Sequence, residues 1–138
     1  LSIALGVALA HPGRQVVNVS GDGGFGYAWS EMETAARHNL KIVQIVLNNS
    51  VLGYQKEAED ASFGRHTPGL HFVEVDHSLV AKAVGWHSQR IEKASELPEA
   101  LAAAFASDRP ALIEVISDPG AWPPIQNFEG RLPPSFAD

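Results

Sequence analysis

The chain has 138 residues, no cysteine, a net charge of -6 and 45% hydrophobic residues. That is enough apolar content for one core, and the missing cysteines exclude a disulfide framework. The acidic balance leaves no basic stripe, so neither nucleic acid nor a membrane is an expected partner, and the composition is that of a soluble, cytoplasmic domain.

Leu1 to Ala10 is apolar and raises the question of a secretory signal. It lacks an initiator Met and a positively charged leading segment, so it reads instead as a buried helix terminated by His11-Pro12-Gly13. Gln15 to Ser20 reads as a buried strand. It runs into Gly21-Asp22-Gly23-Gly24 and then an amphipathic segment through His38. A second apolar run, Ile42 to Leu47, ends at Asn48-Asn49. Farther on, Val75 to Val84 has helical periodicity, Trp86 to Ile91 is extended, Ser95 to Ala106 is helical, and Ala111 to Ile116 is extended and strongly apolar. This alternation predicts an α/β domain of three layers, a parallel sheet with helices on both faces joined by right-handed crossovers. The domain spans 1–118. The tail 119–138 carries Pro119, Pro123, Pro124, Pro133 and Pro134 and is expected to run extended over a surface or a neighbouring chain.

Asp22 and Asn49 each follow an apolar strand, which puts both at the carboxyl ends of parallel strands, where open α/β sheets bind ligands. A carboxylate, a neutral amide oxygen and nearby carbonyls form a hard oxygen site suited to magnesium, which keeps part of its shell for phosphate and water. Gly23 and Gly24, without side chains, let backbone N–H groups approach a phosphate. The expected ligand is a diphosphate held through a metal. Asp-Gly alone is a common tight turn and Asn-Asn a common loop or cap. A nicotinamide-binding reading of Gly21 to Gly26 fails because Phe25 stands where a small residue is wanted and no acid ends the next strand.

Gly21-Asp22-Gly23 through Asn48-Asn49 resembles the signature of thiamine-diphosphate-dependent enzymes, in particular the diphosphate-binding domain of the acetolactate synthase and 2-oxo acid decarboxylase group. The resemblance runs from Leu1 to about Asp118 and implies the thiamine-diphosphate-binding fold, here lacking its first strand. It implies that Asp22, the side-chain oxygen of Asn49 and the backbone carbonyl of Val51 bind Mg2+, with Gly21, Gly23, Gly24, Leu52 and Gly53 along the diphosphate. It also implies a separate pyrimidine-binding domain that carries an activating glutamate, so this polypeptide alone is not expected to turn over. The parent enzyme would be a homodimer or homotetramer that decarboxylates a 2-oxo acid, ligates the resulting acyl carbanion to an aldehyde or ketone, or does both. Some relatives also carry FAD in a middle domain. The alternative is a non-catalytic binding or assembly subunit that retains the fold.

No catalytic residue is assigned within this chain; Tyr54 and Gln55 are the pocket candidates. In simple pyruvate decarboxylases a glutamate that handles protons occupies the position of Gln55, and an amide cannot do that work. In acetohydroxyacid synthases a tryptophan near the position of Ala58 shapes the acceptor site. Both departures point to a carboligase or lyase-like relative with a different acceptor, whereas on the simpler reading Tyr54 and Gln55 begin a packed helix. His66, His71 and His77 match no helical metal pair and read as surface or capping residues. Lys56 to Asp60 reads as a solvated helix face, and Trp29 and Trp86 as core or interface. Trp122, beside Pro123 and Pro124, reads as a packed residue of the tail, the alternative being a cap over the active site as part of a tail lid.

Overall fold

The computed structural model describes residues 1–120. Most of the proline-rich tail, with Trp122, lies outside them. Among the described residues four strands form one parallel sheet in the order β1-β2-β4-β3: β1 (Val16–Gly21), β2 (Ile42–Asn48), β3 (His87–Ile91) and β4 (Ala111–Ile116). Val16 of β1 lies beside Ile42 of β2, and Val43 of β2 beside Ala111 of β4. The central strands β2 and β4 are the near-continuous apolar runs expected where both faces of a parallel sheet are covered.

Six α-helices among the described residues surround the sheet: α1 (Ser2–Ala10), α2 (Asp22–Gly26), α3 (Glu31–Arg37), α4 (Gly53–Phe63), α5 (His77–Ala83) and α6 (Leu97–Ala106). On one face Leu5 of α1, Phe25 of α2, Met32 and Ala35 of α3 and Ala81 of α5 pack on Ile42, Val46 and Leu112. On the other, Ala100 and Ala104, four apart on α6, pack on Val43, Ile91, Ala111 and Ile113. Three layers are therefore present. Asp76 caps α5 by accepting a hydrogen bond from the Leu79 N–H at 2.9 Å. Gly85, with φ of 88°, makes the left-handed turn from α5 into β3. Trp86 is buried just before β3 and donates its Nε1–H to the Met32 carbonyl at 2.9 Å, tying the two ends of this layer together.

Three expectations about burial and continuity change. Ser2–Ala10 is helical, but only Ala4 and Leu5 of α1 are buried, and Ile3 is 85% exposed, because one side of the helix alone meets the sheet. β1 is an edge strand with alternating burial; Val17 (46% exposed) and Val19 (58%) turn to the face of α6, whose packed residues reach only the other strands. The segment from Asp22 to His38 is split: Ala28 N–H bonds the Phe25 carbonyl and Met32 N–H the Trp29 carbonyl, tight i→i+3 turns that separate α2 from α3. No helix among the described residues is long and apolar enough to cross a membrane.

Candidate functional site at the carboxyl end of the sheet

Asp22 directly follows β1 and Asn49 directly follows β2, and the two strands are hydrogen-bonded neighbours. Asp22 is buried, and its Oδ2 accepts the Ser50 N–H at 2.8 Å. That bond draws the turn after β2 over the end of β1. Ser50 sits in the left-handed region with φ of 56°, a conformation that costs a residue with a side chain unless its surroundings hold it. Asn48 supplies part of that hold, accepting the Ser50 N–H at 3.0 Å and its hydroxyl at 3.3 Å through Oδ1. Asn49 turns its own Oδ1 to the Val51 N–H at 3.3 Å, a long bond.

Val51 and Leu52 are fixed from two sides. Val51 forms an antiparallel bridge with His71, and Leu52 N–H bonds the Leu70 carbonyl at 2.9 Å. Leu52, with φ of -74° and ψ of 73°, is the centre of an inverse γ-turn in which Gly53 N–H bonds the Val51 carbonyl at 2.9 Å. One lone pair of that carbonyl is used and the other remains. α4 starts at Gly53 without a side-chain cap, so its first turn presents backbone donors at this end of the sheet. Gly23 is crowded: a Cβ there would stand 2.7 Å from Leu52 Cδ2 and 3.0 Å from Phe72 Cε2. At Gly24 a Cβ would meet nothing within 4 Å. Gly21 ends β1 with only the Leu47 carbonyl, at 4.0 Å, near its missing Cβ.

A cavity of about 380 Å³ opens here, walled by Asp22, Gly23, Leu52, Phe72, Trp29 and His77. His77 is buried between the rings of Phe25 and Trp29, each 5.5 Å away between centroids, and its Nδ1 has no hydrogen-bond partner. Burial pushes its pKa below the ordinary histidine value against the pull of Glu114, Asp22 and Asp76, which keeps the ring neutral. A larger groove of about 650 Å³ lies at the amino ends of β1 and β2, beside Gln15, Lys41 and Arg109. Volume does not decide between them. Only the first has a buried carboxylate at the carboxyl ends of parallel strands, where this architecture binds ligands.

The other candidates of the sequence stand apart. Tyr54 is 60% exposed on the first turn of α4, and Gln55 donates to Glu59 Oε1 at 2.9 Å along the same helix. Lys56 pairs with Asp60 at 2.9 Å and with Glu57 at 3.2 Å, a solvated ladder. His66 and His71, distant in helical spacing, meet through their Nε2 atoms at 2.9 Å, and His66 Nδ1 lies 2.8 Å from Asp60 Oδ1. This chain of hydrogen bonds fastens the loop before Phe72 to α4. No three His, Cys, Asp or Glu side chains among the described residues group as a metal site, so any cation here would rely on one carboxylate and neutral oxygens.

Sequence reasoning missed Glu114, which is fully buried within the apolar run of β4. Its Oε1 accepts Asn48 Nδ2 at 2.7 Å and its Oε2 the Ser78 N–H at 3.1 Å. A lone acid inside Ala111–Ile116 was the available signal, since a buried charge needs partners. Arg90, beside it on β3, comes within 3.7 Å of Glu114 and bonds Glu74 at 2.7 Å. The Asp76 carboxyl, which burial alone would raise, is held below its usual range by the Ser78 hydroxyl and the Leu79 N–H.

Residues 1–115 match the family described as thiamine pyrophosphate enzyme, C-terminal TPP binding domain. Among similar proteins, the acetolactate synthase large subunit of Mycobacterium tuberculosis is 38% identical over 131 residues, 91% of this chain and 23% of that protein. The 2-hydroxyacyl-CoA lyase of Arabidopsis thaliana is 36% identical over 126 residues, 88% of this chain and 22% of that one. Among solved structures, the thiamine diphosphate-dependent 4-hydroxybenzoylformate decarboxylase of Rhodococcus jostii RHA1 superposes with a TM-score of 0.80 at 32% identity, covering 86% of this chain and 22% of that one. The chain thus spans under a quarter of the length of these proteins.

Proposed function

Because the chain belongs to the thiamine pyrophosphate enzymes, as their C-terminal TPP binding domain, we propose that it anchors the cofactor's diphosphate through Mg2+ in an acetolactate synthase-like carboligase or lyase. The proposed metal ligands are Asp22, the side-chain oxygen of Asn49 and the backbone carbonyl of Val51. Gly21, Gly23, Gly24, Leu52 and Gly53 are the proposed lining of the diphosphate. One observation carries this reading: the Ser50 N–H bond to Asp22 Oδ2 brings the turn Asn49–Val51 onto a buried carboxylate at the joint of two parallel strands. It leaves Asp22 Oδ1 and the second lone pair of the Val51 carbonyl for a hard cation.

The donor set fits the ligand. One carboxylate with neutral oxygens leaves a divalent cation net positive, which favours a diphosphate as the remaining ligand. The uncapped first turn of α4 adds backbone N–H groups and the positive end of a helix dipole. Bound thiamine diphosphate supplies the electron sink for cleaving the bond next to a 2-oxo acid's carbonyl. The chain's own residues bind, orient and exclude water: Leu52, Phe72 and Trp29 give the cavity apolar walls, and neutral His77 adds no charge. Tyr54 and Gln55 are proposed to face the reacting end of the cofactor only when a pyrimidine-binding domain closes the site. That domain is the proposed partner, within a homodimer or homotetramer acting on a small 2-oxo acid, and any flavin belongs to the parent enzyme.

Native mass spectrometry with thiamine diphosphate and Mg2+ tests this. A retained cofactor-plus-magnesium mass that Asp22→Ala abolishes is the expected result. Equal retention by Asp22→Ala overturns the metal assignment, and no retention by any assembly of the chain favours a subunit that keeps the fold without the cofactor.

A further inference from the structure

Three side chains and one backbone N–H in a row, Glu114, Asn48, the Ser50 N–H and Asp22, link the centre of the sheet to the proposed metal ligand. Glu114, fully buried on β4, is an acceptor for the amide of Asn48 on the neighbouring strand, 2.7 Å from its Nδ2. An amide has one donor end and one acceptor end, so this bond dictates which way Asn48 points. With Nδ2 committed to Glu114 and to the Val75 carbonyl at 3.1 Å, Oδ1 faces Ser50 and accepts its N–H at 3.0 Å. The same N–H reaches Asp22 Oδ2 at 2.8 Å. Ser50 holds φ of 56°, which nothing in its own chemistry favours strongly.

We propose that Glu114 is the positioning residue of the Asp22–Asn49 site: it orients the Asn48 amide, which holds the left-handed turn at Ser50, which in turn aims Asp22. The ligand part of this proposal rests on the function proposed above; the geometric part does not. Reversing the Asn48 amide would put an NH₂ group against the Ser50 N–H, two donors facing each other, and the turn would lose its support. Glu114 also docks α5 through the Ser78 N–H, so the site and the first turn of that helix share one carboxylate.

The test separates positioning from simple stability. Glu114→Gln keeps the size of the side chain but lets an NH₂ group face Asn48. Amide hydrogen exchange on the 138-residue chain should show Ser50 exchanging about 10-fold or more faster in this variant, with the amides of Val46 and Leu112 in the strands unchanged. The double variant Glu114→Gln/Asn48→Asp restores a donor–acceptor pair with its direction reversed, and Ser50 should exchange severalfold more slowly than in the single variant. Recovery stays incomplete because the Val75 carbonyl loses its donor.

With Mn2+ and thiamine diphosphate as probe, followed by electron paramagnetic resonance, the single variant should bind about 10–100-fold more weakly than wild type. Unchanged exchange at Ser50 in Glu114→Gln overturns the proposal. So does a double variant no better protected than the single, or loss of protection spread evenly over the strands. If the single variant does not fold, the double decides: folded, with Ser50 protected, it supports the proposal, and folded without that protection, it overturns it. A wild-type chain that fails to bind the probe refutes the proposed function, while the exchange result still judges Glu114.

Discussion

Gly23 and Gly24 are neighbours on one short helix, yet replacing each with alanine should move stability in opposite directions. At Gly24 a new Cβ meets nothing within 4 Å, so the change collects only the helical preference of alanine, up to about 1 kcal/mol and less near a helix start. At Gly23 the same methyl lands 2.7 Å from Leu52 Cδ2 and 3.0 and 3.1 Å from two Phe72 ring atoms. Overpacking of that kind costs about 1–3 kcal/mol. Both obstacles are side chains, and Phe72 is partly exposed, so they can yield and the cost falls toward the lower end. After the propensity gain, Gly23→Ala should destabilise by about 0.5–2 kcal/mol, a melting shift of about 2–8 °C downward for a chain this size. Differential scanning calorimetry of both variants in one buffer, without cofactor, measures the difference directly. Equal melting temperatures, or a Gly23→Ala variant more stable than Gly24→Ala, would refute the idea that Leu52 and Phe72 close on that glycine.

Three further outcomes are expected. Trp86→Phe removes the indole N–H that bonds the Met32 carbonyl and should cost about 0.5–1.5 kcal/mol in urea unfolding, with no change in m-value. Asp76→Ala removes the cap of α5 and should cost about 0.5–2 kcal/mol at pH 7. Because the folded carboxyl titrates below its unfolded value of 3.8, its contribution is complete above that pH and disappears as pH falls through the lower folded value; the variant's stability profile should converge on wild type there. His77 has the same sense: its folded pKa lies below 6.5, so the unfolded chain takes up a proton first, and wild type should lose stability as pH falls from 6.5. His77→Phe should flatten that part of the profile in thermal melts across pH 5–7.5, and an unchanged slope would remove His77 as its cause.

Most of the fold was legible because periodicity and length carry it. β2 and β4 announce themselves as mostly apolar runs of seven and six residues, and α6 by its alanines at four-residue spacing. Asp22 and Asn49 could be assigned to the carboxyl ends of parallel strands because each follows an apolar run; that the two strands are neighbours came from the structure. What could not be read was burial at the edge of the sheet. Val17 and Val19 have the same side chains as core valines, and only the reach of α6 separates them. Glu114 was hidden for a similar reason: its partner Asn48 lies 66 residues away in the chain, and no local pattern joins them. The meeting of His66 with His71 depended on the path of a loop, which helical spacing does not describe.

The outer rung of β1 has its own consequence in the tube. Beyond β2 this strand has no partner among the described residues, and it turns Val17 and Val19 to solvent beside Leu47, which is 44% exposed. Open backbone donors and acceptors next to an apolar strip are a template for adding another strand. Concentrated solutions of this chain should therefore turn turbid sooner than its charge of -6 would lead one to expect. A single lysine at position 17 or 19 should delay that clouding while leaving Asp22 and its neighbours untouched.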